Sequence, residues 1–436
     1  MTMHRVEEAS ANYISQMNET GNAISKGYKQ TEVGVIPEDW CAVKLGDLAR
    51  IQRGASPRPI DSPIWFDRNS TVGWLRISDV TKTSKYLTET IQSLSELGVA
   101  HSRFVSSDNL VMSICATVGK PIITRKDLCI HDGFVVFNGL TANQDYMYYV
   151  LKDLEDEWGK QGQTGSQMNL NTDLINGTYI ALPLKEEEQT AIANALSDVD
   201  TLINGLEKSI AKKQAIKTAT MQQLLTGRTR LPQFAEHPDG KLKGHKQTEL
   251  GEVPEDWNVM ALGDVAKINM GQSPSSSNYN NNGIGLPLVQ GNADIANRGT
   301  IIRNYTSQIT KTAQKGDLIL SVRAPVGEVA KATFNCCIGR GVCAIKYSNE
   351  YLYHWLINFE TEWEKFSKGS TFDSINSDEL KSILLVVPSD EEQVAIATIL
   401  TDMDEEIQTL QQRLNKTRQI KQGMMQELLT GKTRLI

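Results

Sequence analysis

Cysteine is scarce in this chain: six occur in 436 residues (Cys41, Cys115, Cys129, Cys336, Cys337 and Cys343), and no two form a CxxC pair. A disulfide framework and a structural zinc site are therefore not expected. Long apolar runs are missing too. No stretch of eighteen apolar residues exists, so no membrane-spanning helix is predicted. The opening residues MTMHRVEEASANYISQ lack the apolar segment of a signal peptide, which makes the cytoplasm the expected compartment. Positive charge is in deficit: 45 Lys and Arg stand against 52 Asp and Glu, a net charge of −7. Taken as an average, that argues against a nucleic-acid binder, because neutralising phosphates needs cations. What is present is enough apolar matter, 40 % of residues, to build packed cores rather than a disordered chain. The length suggests about two to four domains.

Catalytic signatures are equally thin. TGKT (430–433) resembles the end of a phosphate-binding loop, but position 426 is Gln where a Gly is required, and no helix can follow it. Gly283-x-Gly285 lies in an Asn/Ser-rich loop and is too weak for a dinucleotide site. The single Pro-Asp pair, Pro238-Asp239, has no ExK after it, as a metal-dependent nuclease would need. No Pro-Pro pair offers the motif with which a methyltransferase holds a flipped base. The six histidines are scattered, His131-Asp132 reads as a capped turn, and no GxSxG nucleophile elbow occurs. An enzyme reading is poorly supported, and no cofactor or metal is expected in this chain.

The sequence is written twice. KQTEVGVIPEDW (29–40) returns as KQTELGEVPEDW (246–257), an offset of 217 that persists through Leu45-Gly46-Asp47 and Leu262-Gly263-Asp264. EEQTAIANALSDVD (187–200) returns as EEQVAIATILTDMD (391–404), and QQLLTGRTRL (222–231) as QELLTGKTRL (426–435), at an offset of 204. Between these flanks little is shared beyond SICATVG (113–119) and SVRAPVG (321–327). Duplicated flanks around divergent centres suggest two sites of one kind aimed at two targets.

Each centre mixes strand-like runs, such as LVMSI (110–114), GFVVF (133–137), DLILSV (317–322) and GVCAI (341–345), with amphipathic helices over 144–158 and 350–363. The predicted class is α+β: two mixed α/β domains in tandem, joined by two long antiparallel coiled-coil helices. The helices follow Pro183 and Pro388, each opening on an acidic triplet suited to a helix N-terminus. Apolar residues then fall at Ile192, Leu196, Val199, Ile203, Leu206 and Ile210, and at Ile396, Leu400, Met403, Ile407, Leu410 and Leu414. The spacing of four and three in alternation is a coiled-coil seam. It weakens at Lys213 and Lys217 and recovers at Leu224, while Gly227 and Gly431 are natural stops. In both helices acids fill the first half and bases the second, Glu427 excepted, so antiparallel pairing sets acid against base throughout. A helix of about 36 residues would span roughly 54 Å at about 1.5 Å per residue, about one and a half turns of B-DNA. The expected organisation is an extension (1–27), a domain (28–182), a helical spacer (183–231), a linker (232–244), a second domain (245–387) and a second spacer (388–436).

The charge average also hides a pattern. Residues 50–126 hold eleven Lys/Arg and six acids, and residues 267–346 hold nine and three. Each divergent centre is thus basic within an acidic chain, and rich in the Ser, Thr, Asn and Gln that read base edges.

This constellation resembles the specificity subunit of type I restriction–modification systems. The resemblance covers nearly all of residues 28–436. It rests on the order of globular and helical parts, on LPLKEEEQTAIANAL and VPSDEEQVAIATIL, and on the repeated TEVGVIPEDW and SICATVG/SVRAPVG segments. It implies two target recognition domains, each reading half of a bipartite, asymmetric target in double-stranded DNA. It also implies docking of two modification (methyltransferase) subunits and of restriction subunits, with no membrane partner. S-adenosylmethionine, ATP and Mg²⁺ chemistry would belong to those partners, leaving this chain non-catalytic. One departure stands out: Cys115 occupies the position of Arg323, where family members often carry Arg. Candidate DNA contacts are Arg53, Ser56, Arg58, Arg76, Ser78, Lys82, Lys85, Gln163, Thr164 and Ser166 in the first domain. In the second they are Gln272, Ser273, Gln290, Asn292, Arg303, Arg323, Lys368, Ser370 and Thr371. The competing readings are a nuclease with an unrecognised site and a coiled-coil scaffold without a DNA role.

Overall fold

The computed structural model describes residues 24–161, 170–366 and 374–436, with side chains not described at 160, 161 and 364–366. They divide into two compact units: the residues up to Gly205 together with Leu414–Ile436, and Leu206–Arg413. The division differs from the predicted boundaries. Each long helix is cut near its middle, so each unit holds the first part of one helix and the last part of the other.

In the first unit a five-stranded sheet runs in the order Arg50–Arg53, Phe134–Asn138, Leu110–Ser113, Pro121–Thr124, Tyr86–Leu87. A four-stranded sheet runs Gln92–Ser93, Gly73–Leu75, Leu128–Ile130, Arg103–Val105. The inner strands are nearly all apolar because both faces are covered. Val111, Phe134 and Val136 face a core shared with Leu75, Leu128 and Ile130 of the other sheet. Leu110, Met112, Val135 and Phe137 face the opposite way, among Tyr146, Tyr149 and Leu151 of the helix Gln144–Gln161 and Ile192 and Leu196 of the long helix. The second unit repeats this with a six-stranded sheet containing Leu318–Ser321 and Val342–Lys346 and a five-stranded one containing Leu286–Val289 and Cys336–Ile338. The predicted helix over 350–363 is α-helical only over Tyr351–Phe359 and continues as a 3₁₀ segment, Glu360–Phe366. Segment 232–244, expected to be a plain linker, contains the short helix Pro232–Ala235 and a bridge from Glu236 to Leu242.

The long helices span Glu186–Leu224 and Asp390–Leu428. Of the twelve seam positions, Ile192, Leu196, Leu206, Ile210, Ile396, Leu400, Ile407 and Leu414 are buried. Val199, Ile203, Met403 and Leu410 are half-buried. The pairing is antiparallel in each unit. In the first, Lys421 reaches Asp200 at 2.6 Å; in the second, Lys217 reaches Asp404 at 2.5 Å and Lys213 reaches Glu406 at 2.6 Å. The lysines that interrupt the apolar seam therefore carry the cross-helix ion pairs.

The repeated flanks meet in a clasp. Glu188, third residue of the first helix, is buried, with 1 % of its side chain exposed. Its carboxylate accepts the Trp40 indole N–H at 3.2 Å and the Arg434 guanidinium at 2.5 and 2.8 Å. Arg434 also grips Asp39 through two bonds of 2.9 and 2.8 Å. In the second unit Glu392 accepts Trp257 at 3.0 Å and Arg230 twice at 2.7 Å, while Arg230 also holds Asp256. Gly431, at φ +71°, fits against Pro37 and Trp40, and Gly227, at φ +73°, against Pro254 and Trp257; a Cβ at either would overlap the proline ring. Burial opposes the charge of Asp256, yet Arg230 and Lys243 outweigh it and hold its carboxyl at about 2.

Arg434→Ala is expected to lower stability by about 3 kcal/mol, because it leaves a buried carboxylate with only an indole donor. Thermal or urea unfolding of the full chain measures this. A second expectation concerns His354, which is 1 % exposed, bonded to Thr401 at 3.1 Å and 3.9 Å from Asp404. Burial, then Lys217, push its imidazole down to about 4 against the opposing pull of Asp404. Its unfolded state binds a proton near pH 6.5 that the folded state refuses until about pH 4, so stability falls across that window as pH drops. His354→Gln is expected to remove up to about 3 kcal/mol of that acid sensitivity, read as the difference in unfolding free energy between the two proteins at each pH.

Candidate nucleic-acid interface

At one end of the paired sheets, three loops of the first unit converge. The loop after strand Arg50–Arg53 packs on the turn His131-Asp132-Gly133, where Gly54 lies so close to the His131 carbonyl that no Cβ could fit. The Ile114 N–H donates to the Gly133 carbonyl at 2.8 Å and brings Cys115 alongside. Asp132 is the hub. Its backbone carbonyl accepts from Arg53 at 2.6 Å, and its carboxylate accepts from the Ser56 hydroxyl at 2.9 Å and from Arg58 at 3.5 Å. Burial opposes its charge, but the Ser56 hydroxyl and the Arg58 guanidinium help hold its carboxyl below the usual range. Burial pushes the neighbouring His131 imidazole down, with Arg76 adding to this and Asp132 opposing it. The His131 Nδ1 accepts from the Gly133 N–H at 2.9 Å, which fixes the turn.

The second unit builds the same frame. Gly271 meets Gly339, the Gln272 N–H donates to the Ile338 carbonyl at 2.9 Å, and the Val322 N–H donates to the Gly341 carbonyl at 2.9 Å. Ser273 accepts the Arg340 backbone N–H at 3.0 Å. In both units a glycine with positive φ, Gly119 or Gly327, lies against an indole, Trp158 or Trp363. That contact accounts for the glycine shared by SICATVG and SVRAPVG: a side chain there would meet both backbone strain and the ring.

The sequence-predicted residues distribute unevenly over this frame. Arg53, Ser56 and Arg58 gather at Asp132, and Arg76 stands at the start of the helix Ile77–Lys82, its guanidinium bonded to Gln92 at 3.0 Å. Ser78 and Lys82 lie exposed on that helix. Lys85 is a correction. It is buried, its ammonium bonded to Ser197 at 2.8 Å and to Asp145 at 2.9 Å, with the Tyr149 ring centre at 4.6 Å. Its long apolar stem suits it to join sheet and helix, and it is withdrawn from the DNA-facing set.

In the second unit Gln272, Ser273, Gln290 and Arg323 surround the Gly339-Arg340-Gly341 turn. The Asn292 amide is engaged by Glu328 at 2.6 Å, and Arg303 is exposed beside Asp294 at 4.0 Å. Arg323 and Arg340 are exposed, and neither guanidinium has a hydrogen-bond or ionic partner among the described residues. Gln163, Thr164, Ser166, Lys368, Ser370 and Thr371 lie outside the described residues. The basic balance of each centre is also smaller in space than in sequence, because acids outside the counted segments pair with its cations: Asp132 with Arg58, Glu360 with Arg298, and Glu350 with Lys331. Sequence reasoning missed Asp132 and Arg340. The signal was present: the strands GFVVF and GVCAI align with Asp132 and Arg340 immediately before their first glycine.

Comparison with known proteins supplies the family. The model of the type I restriction modification DNA specificity domain matches twice, over residues 37–218 and 254–419. The chain belongs to this family. Several specificity subunits are similar to it over most of its length. The proposed type I restriction enzyme MjaX specificity subunit of Methanocaldococcus jannaschii is 32 % identical over 429 residues, 94 % of this chain and 97 % of that one. The EcoDI specificity subunit of Escherichia coli is 22 % identical, covering 88 % of this chain and 85 % of that one. Among solved structures, the S subunit from M. genitalium superposes with TM-score 0.58 at 13 % identity, covering 94 % of this chain and 98 % of that one. A chain from a structural study of type I complex assembly and conformational transition gives 0.57 at 22 %, covering 91 % and 99 %. These two likenesses concern the fold. Among the described residues of this specificity subunit, no helix is long and apolar enough to cross a membrane, and no group of three or more His, Cys, Asp or Glu could hold a metal ion.

The placement of Lys85 has a measurable consequence. Lys85→Ala is expected to destabilise the chain by about 2 kcal/mol through lost packing and the lost ion pair with Asp145, with no change in DNA affinity of the assembled complex. Unfolding curves alongside a DNA titration check both halves of that statement.

Proposed function

We propose that this chain is the DNA-reading subunit of a type I restriction–modification enzyme, each domain reading one half of a bipartite, asymmetric target in double-stranded DNA. The observation that carries the reading is the pair of matched loop clusters. One frame of glycines and strand ends occurs twice, and it presents different exposed polar side chains in each unit. A frame held constant while its side chains change is what two readers of unlike half-sites need, because phosphate contacts position and base contacts specify.

On this reading the long helices act as the spacer between the two recognition domains, and their outer faces serve docking of two modification subunits and of restriction subunits. Adenine methylation from S-adenosylmethionine and ATP- and Mg²⁺-dependent cleavage belong to those partners, and this chain contributes no catalytic group. The remaining candidates, Arg53, Ser56, Arg58, Arg76, Ser78, Lys82, Gln272, Ser273, Gln290, Asn292, Arg303 and Arg323, together with those outside the described residues, supply the DNA contacts. Single-molecule sequencing of modified bases in host DNA, with the gene intact and deleted, tests this. A two-part methylation motif should vanish on deletion. An unchanged methylome in a host with an active modification subunit would defeat the proposal.

A further inference from the structure

The two recognition frames superimpose residue by residue at their centres, because the hydrogen bonds that define them correspond. Ile130 ends a strand paired in parallel with Leu75, and Ile338 ends one paired with Val289. The Ala55 N–H donates to Ile130 as the Gln272 N–H donates to Ile338, and the Gly54 N–H donates to Phe134 as the Gly271 N–H donates to Val342. These bonds set His131, Asp132 and Gly133 opposite Gly339, Arg340 and Gly341. They likewise set Ile114 and Cys115 opposite Val322 and Arg323. At the apex of the same turn, the first unit therefore carries a carboxylate and the second a guanidinium. Beside it, a thiol stands where the second unit has another guanidinium.

Neither apex side chain is consumed by its surroundings. The Asp132 side chain is 47 % exposed although Ser56 and Arg58 donate to it, so acceptor positions stay open to solvent. Arg340 is exposed, and among the described residues Ser273 engages its backbone N–H while its guanidinium has no partner. The cations around Asp132, Arg53 and Arg58, make an approach to phosphates tolerable for a carboxylate. A carboxylate can only accept hydrogen bonds when ionised, and a guanidinium can only donate.

Resting on the DNA-reading function proposed above, we propose that Asp132 and Arg340 are corresponding specificity-determining residues of opposite sense. Arg340 donates to the O6 and N7 acceptors of a guanine in the second half-site. Asp132 accepts from the exocyclic N4 amine of a cytosine in the first. Adenine suits Asp132 less well, because its N7 acceptor lies beside the N6 amine and repels a carboxylate, whereas cytosine offers no acceptor on its major-groove edge. Ser56 and Arg58 also hold the carboxylate in place.

The test uses the complete modification complex with wild-type chain, Asp132→Asn or Arg340→Gln, and reads the methylated motif by sequencing modified bases. With wild type, a two-part motif is the precondition; its absence counts against the DNA-reading proposal itself. Given that motif, Asp132→Asn is expected to lose about tenfold preference for cytosine at one position of one half-site. Arg340→Gln is expected to lose about tenfold preference for guanine at one position of the other. Co-purification with the modification subunit and an unchanged melting temperature establish that each variant is folded. A folded variant that keeps every motif position, or weakens methylation of all sequences uniformly, overturns the assignment for its residue.

Discussion

A buried glutamate near the start of each long helix is the constraint on which the rest of the structure depends. Glu188 and Glu392 are charged groups taken out of water, a placement that is costly unless every lone pair is met. Three segments far apart in sequence meet that need together: the tryptophan of the opening PEDW motif, the arginine of the closing TRL motif, and the helix that carries the glutamate. Satisfying one carboxylate therefore fixes the helix N-terminus, the first strands of the domain and the tail of the other helix in one arrangement. The glycine before each TRL reinforces this, since only a residue without Cβ lets the tail lie flat on Pro37 and Trp40, or on Pro254 and Trp257. These are the segments that read alike in the two halves of the chain.

Antiparallel helix pairing follows from the same clasp. Arg434 reaches Glu188 and Arg230 reaches Glu392 only if the end of each helix lies at the start of the other within its unit. Further along, Lys421–Asp200 and Lys217–Asp404 repeat the acid-to-base match in more exposed surroundings, where each pair contributes less than about 1 kcal/mol. The clasp therefore sets direction, and the apolar seam supplies most of the association. Behind these lysines the two units diverge: Asp200, paired with Lys421, meets the Tyr149 hydroxyl at 2.8 Å, whereas Asp404, paired with Lys217, faces His354. One position, filled by a phenol in one copy and an imidazole in the other, gives the second unit an acid sensitivity that Tyr149 cannot confer.

Much of this was legible in the sequence, for identifiable reasons. The seam from Ile192 to Ile210 and from Ile396 to Leu414 follows from a heptad period that survives in any surroundings. Strands such as Leu110–Ser113 and Leu318–Ser321 announced themselves because sheets covered on both faces need continuous apolar runs. The clasp was visible only as a repeat. Nothing local in PEDW, EEQ or TRL states that they touch, because their contact is made by the fold. Lys85 was misread for the same reason: a lysine in a basic stretch reads as a surface cation until Asp145 and Ser197 are seen to enclose it. Asp132 was read only as part of a capped turn, because counting basic residues draws attention away from an acid, even where that acid organises the cations around it.

The acidic net charge and a DNA-facing role are compatible because charge is sorted by place. Glu188, Glu392, Asp39 and Asp256 are spent in the clasps, and Asp200 and Asp404 along the helices, so each is paired with a cation and contributes little field at a distance. Three cations of the centres are likewise paired, with Asp108, Glu350 or Glu360. Among the described residues, Arg323 and Arg340 are exposed guanidiniums without a hydrogen-bond or ionic partner, carried on loops anchored by backbone hydrogen bonds. A guanidinium placed by such anchored loops favours discrimination over indiscriminate attraction to phosphate, since non-specific affinity grows with every cation while base readout needs only one or two well-placed groups. A deficit of positive charge over the whole chain therefore does not by itself argue against reading a DNA sequence.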